Sequence, residues 1–184
     1  MIKLSKKSFL IFLSAIVTAA FPAPAMATAF TFDGIGNHTL TSANLSFTST
    51  ALGFGWGISS TVLEVNVPVP GAFATVTSAA FTGCTGTDSA TGFACDVTAT
   101  NFPWAITRIA AGTFDIDGIH AVVNFTSAGV LVTLEGHLEG SINNTTHTLT
   151  FANSVGLTAT TTLGNAPVSV TGDFRDDQNT LQVT

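Results

Sequence analysis

From Val130 to Ile142 the chain alternates with a period of two. The even positions read Val130, Val132, Leu134, Gly136, Leu138, Gly140 and Ile142, and the odd positions after Leu131 read Thr133, Glu135, His137, Glu139 and Ser141. This is the pattern of a strand with one dry face and one wet face. It returns in Val65-Val67-Val69, in Phe93-Cys95-Val97-Ala99, in Val168-Val170 and in Leu181-Val183. No stretch of useful length repeats every 3.6 residues, and Gly, Asn and Asp signals punctuate the apolar runs, so that about ten strands fit. The pattern predicts an all-β fold, a single-domain antiparallel β-sandwich, with a β-barrel as the alternative.

Two hairpins can be registered. Asp117-Gly118 reads as a two-residue turn, which pairs Ile116 with Ile119, Asp115 with His120 and Phe114 with Ala121. A two-residue loop at Asn143-Asn144 sets Leu138 against Leu149 and Gly136 against Phe151, and turns His147 away from His137. Both registers match apolar with apolar, as a correct register should.

The first 27 residues belong to a different class. Lys3, Lys6 and Lys7 precede an apolar run from Phe9 to Ala20, and Ala25-Met26-Ala27 follows with small residues at the two positions a signal peptidase reads. That is a secretory signal peptide, with an apolar run too short to span a bilayer comfortably. The expected organisation is a signal peptide over 1–27 and a secreted domain over 28–184, at the cell surface, outside the cell or in the periplasm. No later stretch is long and apolar enough to span.

Cleavage changes the charge. It removes all three lysines and leaves Arg108 and Arg175 against eleven carboxylates, a net charge of −9. Such a chain has no cationic footprint for nucleic acid or for anionic lipid. The 30 threonines from residue 28 onward carry much of its solubility and suit half-buried strand positions.

Cys84 and Cys95 are the only cysteines, in a loop marked by Gly86, Asp88 and Gly92. In an exported chain they read as a structural disulfide. Phe54-Gly-Trp56-Gly57 suits a loop or bulge with an exposed ring, and Phe102-Pro103-Trp104 follows a strand. These four aromatics are candidate binding residues, set against the commoner role of core lids. Asp173, Asp176, Asp177 and Asn179 crowd the loop before the last expected strand as a candidate calcium site, against the plainer reading of a solvated turn. Glu135, His137, Glu139 and His147 invite a metal reading, but parity separates the histidines, and no metal or other cofactor is expected. Asp115-Ile-Asp117-Gly118 starts like a calcium loop and continues as a strand.

Thr82-Gly-Cys84-Thr, Asn101-Phe-Pro-Trp104, Gly118-Ile-His120-Ala and Val170-Thr-Gly-Asp-Phe174 together resemble a group of small secreted bacterial proteins, and the chain is similar to the protein activator of alkane oxidation (PraB-like) family. The resemblance implies a secreted, β-rich, cell-surface protein. It also implies a further cysteine pair in relatives, where this chain has Ile58-Ser59-Ser60. It carries over no catalytic residue.

The expectation is therefore a non-enzymatic secreted surface or matrix protein. It would associate with itself or with other surface proteins by strand addition, because no lysine protects its edges and Leu181-Gln-Val-Thr184 would leave one open. The first alternative is a binder of an apolar small molecule such as a hydrocarbon, held in a mouth lined by Phe and Trp. The second is a glycoside hydrolase-like enzyme that pairs carboxylates from Glu64, Glu135 or Glu139.

Overall fold

A computed structural model describes residues 35–68, 74–87, 92–110 and 112–181, without the side chain of Arg108. The leader, the start at Thr28, Asp88, Val69 and the segment 182–184 lie outside the described residues. Ten strands form: β1 (Gly36–Ser42), β2 (Leu45–Ser49), β3 (Phe54–Val67), β4 (Ala74–Gly86), β5 (Ala94–Thr100), β6 (Trp104–Ala110), β7 (Thr113–Phe125), β8 (Val130–Asn143), β9 (Thr148–Thr161) and β10 (Gly164–Asp176).

The pairings close into a ring. Both β1 and β2 bridge β3 and β10, and both β5 and β6 bridge β4 and β7. Each short pair therefore acts as one interrupted stave. The other staves are β3, β4, β7, β8, β9 and β10, each antiparallel to its sequence neighbours. The result is an eight-stranded antiparallel barrel in up-and-down order. The all-β expectation holds, and of the two arrangements it is the barrel that forms. An eight-strand ring is just wide enough for side chains to fill it.

One face of each stave fills the interior. Along β8 and β10 the inward set keeps even parity, with Val132, Leu134, Leu138 and Ile142 in one and Ala166, Val168, Val170 and Phe174 in the other. In the other long strands parity slips. In β3 the inward set runs Trp56, Ile58 and then Thr61, Leu63, Val65 and Val67. In β7 it runs Phe114, Ile116 and then Ile119, Ala121, Val123 and Phe125. The β7 slip is a β-bulge against β8, which adds the curvature that a closed sheet needs.

The slip in β7 overturns one expected hairpin. Asp117-Gly118 does not reverse the chain: Ile116 pairs with Leu138 and Ile119 with Gly136, so two residues of β7 bulge past one of β8. Gly118 has φ +77 and donates its N–H to the Asp117 carboxylate at 2.8 Å. A glycine in this left-handed conformation serves a bulge as well as a turn. Asp115 consequently faces Glu139, and His120 faces Glu135; Asp115 and His120 do not pair.

The Asn143 hairpin exists with a different register. Asn143 pairs with Thr148 and Ile142 with Leu149, around a four-residue loop. The Asn143 Oδ1 accepts the N–H groups of Thr145 (2.9 Å) and Thr146 (3.2 Å), which opens the turn beyond two residues.

At the end of the barrel where β10 finishes, residues 177–181 leave the sheet as a turn and loop, and the remainder of the expected last strand lies outside the described residues. Leu181 is 1% exposed. The described strands pair all the way round and leave no open sheet edge among them; the segment 182–184, on which strand addition at the terminus was expected to rest, lies outside the described residues.

Candidate functional site

The opposite end of the barrel carries the candidate site. There β3 and β8 begin and β4 and β7 end. The Cys84–Cys95 disulfide joins β4 to β5 just inside this rim, with the two Cα atoms 5.0 Å apart. The Gly86 N–H donates to Phe93 O (2.7 Å) and the Thr87 N–H to Gly55 O (2.8 Å), which ties the loop after β4 to its neighbours.

A pocket of about 160 Å³ opens between these strands, walled by Phe54, Gly55, Gly86, Phe93, Phe125 and Val130. The glycines make room. A Cβ on Gly55 would lie 2.5 Å from the Phe47 carbonyl oxygen, and one on Gly86 would touch the Phe125 ring. Around the same rim Val130, Leu131 and Leu163 are exposed, by 37%, 59% and 89%.

Three aromatics form the floor. The Phe54 and Phe125 rings meet edge to face at 5.7 Å, and each contacts Trp56, at 6.1 and 5.9 Å. Trp56 in turn stacks on Phe47 at 5.1 Å. Below this layer lies a second space of about 40 Å³, whose wall presents carbon only and includes Trp56, Phe81, Trp104, Leu134 and Phe151. The lower interior is filled by Phe114, Phe151 and Phe174, which pack edge to face at 5.6 and 5.9 Å.

The four sequence-proposed aromatics are not exposed rings. Trp56 is fully buried and Trp104 is 4% exposed, while Phe54 and Phe102 pack against the core. Gly55 precedes Trp56 because the β2 backbone presses close there, not because the chain loops out. Phe54 and Trp56 belong to the mouth. Phe102 and Trp104 stack at 4.6 Å beside the joint between β5 and β6, and the Trp104 indole donates to Thr100 O at 3.0 Å. Sequence reasoning missed Phe93, Phe125 and Val130. Their signal was three apolar residues flanking strand ends that the barrel brings together.

The acidic candidates divide among several tasks. Asp176 is fully buried, and its carboxylate accepts the N–H groups of Gln178 (3.1 Å), Thr180 (2.7 Å) and Leu181 (2.7 Å). Desolvation is the largest influence on it and raises its pKa, but the backbone donors, with help from His38, hold the net value below the ordinary carboxylate range. Asp177 accepts from the Thr41 hydroxyl at 2.9 Å, and Asn179 from Arg175 at 3.4 Å. Asp173 stands exposed opposite Thr150. Among the described residues no three His, Cys, Asp or Glu side chains converge as a metal site. His147 lies in the β8–β9 loop with Nδ1 3.0 Å from Leu181 O.

Of the other carboxylates, Glu64 accepts from the Thr39 hydroxyl at 3.1 Å. Glu135 lies 3.4 Å from His120. Glu135 and Glu139 share one strand, with their backbones about 13 Å apart at roughly 3.3 Å per residue. Asp115, opposite Glu139 on the outer wall, has its pKa raised by desolvation first, and further by Asp117 and Glu139 against the lowering effect of His137.

The motifs that carried the family resemblance fall at the irregular points of this barrel. Gly83 (φ +67) closes against Ser59, Asn101 and Pro103 form the β5–β6 joint, Gly118 makes the β7 bulge, and a Cβ on Gly172 would lie 2.8 Å from Asn44 O. The family model described as alkane oxidation protein activator PraA/PraB-like matches residues 5–178. The chain belongs to that family. This PraA/PraB-like chain has no match among curated proteins or solved structures. The family is described by activation of alkane oxidation, and the mouth of this barrel is walled mainly by apolar side chains.

Proposed function

We propose that this chain is an exported, non-enzymatic barrel that takes up apolar chains, hydrocarbon first among them, at its mouth and thereby serves alkane oxidation. One observation carries the reading: the 160 Å³ apolar pocket opens at a rim of exposed Val130, Leu131 and Leu163. An apolar cavity of about 150 Å³ is enough to hold benzene, so a short alkyl segment fits. The rim favours an apolar contact outside the barrel, at the cell surface or on a hydrocarbon phase, and the family description supports the link to hydrocarbon.

The test is direct. Purified protein is equilibrated with n-hexane, and headspace gas chromatography reads the free hydrocarbon. Saturable depletion at one ligand per chain is expected, and Val130→Asp, which places a carboxylate on the pocket wall, should weaken it at least tenfold. Depletion no greater than that of buffer sinks the reading.

A further inference from the structure

The strands pair all the way round the barrel, but not along their whole length. On one side β4 runs beside β3 from Thr75 to Gly86. On the other it meets β6 at Ala74–Val76 and β5 at Cys84 and Thr85. Among the described residues, Thr77 to Gly83 have no ladder partner on that second side. Nor do Asp96 to Thr100 of β5, which pair with β7 alone. A seam therefore runs up the wall between β4 and β5. The Cys84–Cys95 disulfide closes its upper end, and the β5–β6 joint, with Phe102 stacked on Trp104, marks its lower end.

Where the ladder stops, side chains alone close the wall. Ala79 and Phe81 of β4 and Val97 and Ala99 of β5 pack against the core yet stay partly exposed. Phe81 and Val97 also line the inner cavity of about 40 Å³. The same two side chains thus meet the cavity on one side and solvent on the other.

We propose that this cavity is a site for a small alkane, about the size of ethane, which enters through the wall between β4 and β5 with Phe81 as the gate. The inference does not depend on the apolar-chain reading of the mouth. The aromatic floor of Phe54, Trp56 and Phe125 stands between the two spaces, which leaves the seam as the way in. A cavity walled by carbon stays dry and takes apolar guests. Its size selects among them. Room for one water takes about 10–15 Å³ and room for benzene about 150 Å³. A space of about 40 Å³ admits two or three carbons and not a ring. The gate follows from side-chain shape. Val97 is branched at Cβ, stiff at χ1 and held on a strand paired to Val123. Phe81 lacks that branching and stands in the stretch of β4 with no partner across the seam, so its ring can swing towards solvent without moving the core.

Methyl NMR on the unaltered protein tests the site. Under ethane pressure the Ala121 and Leu134 methyl resonances, both from the cavity wall, should shift saturably. Benzene, too large for the cavity, should move Val130 at the mouth and leave Ala121 in place. Ala121→Leu, which fills the space, should abolish the ethane response at Leu134. Phe81→Ala tests the entrance: ethane exchange should quicken roughly tenfold, which asks for about 1.4 kcal/mol off the barrier. If Ala121 and Leu134 ignore ethane, the site falls, whatever hexane does at the mouth. If they respond but exchange in Phe81→Ala keeps the wild-type rate, the entrance through the seam falls. Failure of hexane to bind would overturn the mouth reading and leave the ethane response as a separate result.

Discussion

The carboxylate of Asp176, the last residue of β10, accepts the N–H of Leu181 at 2.7 Å and so draws an apolar side chain into the end of the barrel opposite the mouth. Asp176→Asn keeps the shape but gives up one acceptor oxygen and the charge. It should cost about 2–3 kcal/mol, the scale for a charge-assisted bond lost with its donor left buried, read as a lower urea midpoint. The pH dependence follows from the lowered pKa. The stabilising contribution is complete above the ordinary value of 3.8 and is lost as pH falls through the lower folded value. The wild-type advantage over Asp176→Asn should therefore vanish in strong acid.

Asp115 behaves in the opposite sense. Its pKa is raised, chiefly by desolvation, and its Oδ1 is buried without a donor. A raised carboxyl favours the fold while protonated, and that contribution is lost as pH rises through the folded value. Asp115→Asn should raise the melting temperature at pH 7, with the gain shrinking as pH approaches 4. Equal gains at both pH values would contradict the desolvation account.

Two glycines of the β7–β8 pair are required for different reasons. Gly118 has φ +77 with open space where a Cβ would go, so Gly118→Ala should cost only the left-handed backbone penalty of about 1–2 kcal/mol. Gly140 lies under Phe114, and its Cβ would sit 2.5 Å from the ring and 3.0 Å from Thr150 O. Gly140→Ala should cost about 2–3 kcal/mol by overpacking, and Phe114→Leu should recover part of that loss. Chemical denaturation of the three variants checks it.

The disulfide closes a short loop, with a separation of 11 residues. The chain-entropy model gives about 3 kcal/mol for such a loop. Cys84→Ser with Cys95→Ser should lower the denaturant midpoint accordingly, with hexane binding weakened because the bridge holds the rim near Gly86.

Export makes a chemical prediction. Intact-mass analysis of protein recovered from outside the cytoplasm should give a chain that begins at Thr28. A product that retains Lys3, Lys6 and Lys7 would refute the leader reading.

Much of this fold was legible wherever a strand keeps one parity. The alternation from Val130 to Ile142 maps onto β8 with its even face inward. It fails where parity slips, because Asp117-Gly118 presents the same chemistry to a bulge as to a turn, and only the partner strand tells them apart. The Asn143 register was misplaced by an even number of residues. Apolar still met apolar, so the matching test could not detect the error. Closure was invisible for a similar reason, since inward alternation is the same in a sandwich and a barrel. The disulfide was readable from composition and setting. The mouth was readable only in part, because Phe54 and Trp56 carry a local signal whereas Phe93, Phe125 and Val130 acquire meaning from the ring.

Because the ring follows chain order, every neighbouring pair of staves but one is close in sequence. The exception joins the two extremes of the fold, where Thr41 bonds to Asp177 across 136 positions. Hairpins can zip up one after another as the chain is made, but the outer edges of β1 and β2 must wait for β10. During that interval the growing protein carries a bare strand edge that the finished one conceals. The greatest hazard of aggregation therefore falls in biogenesis, and ends when the last stave arrives.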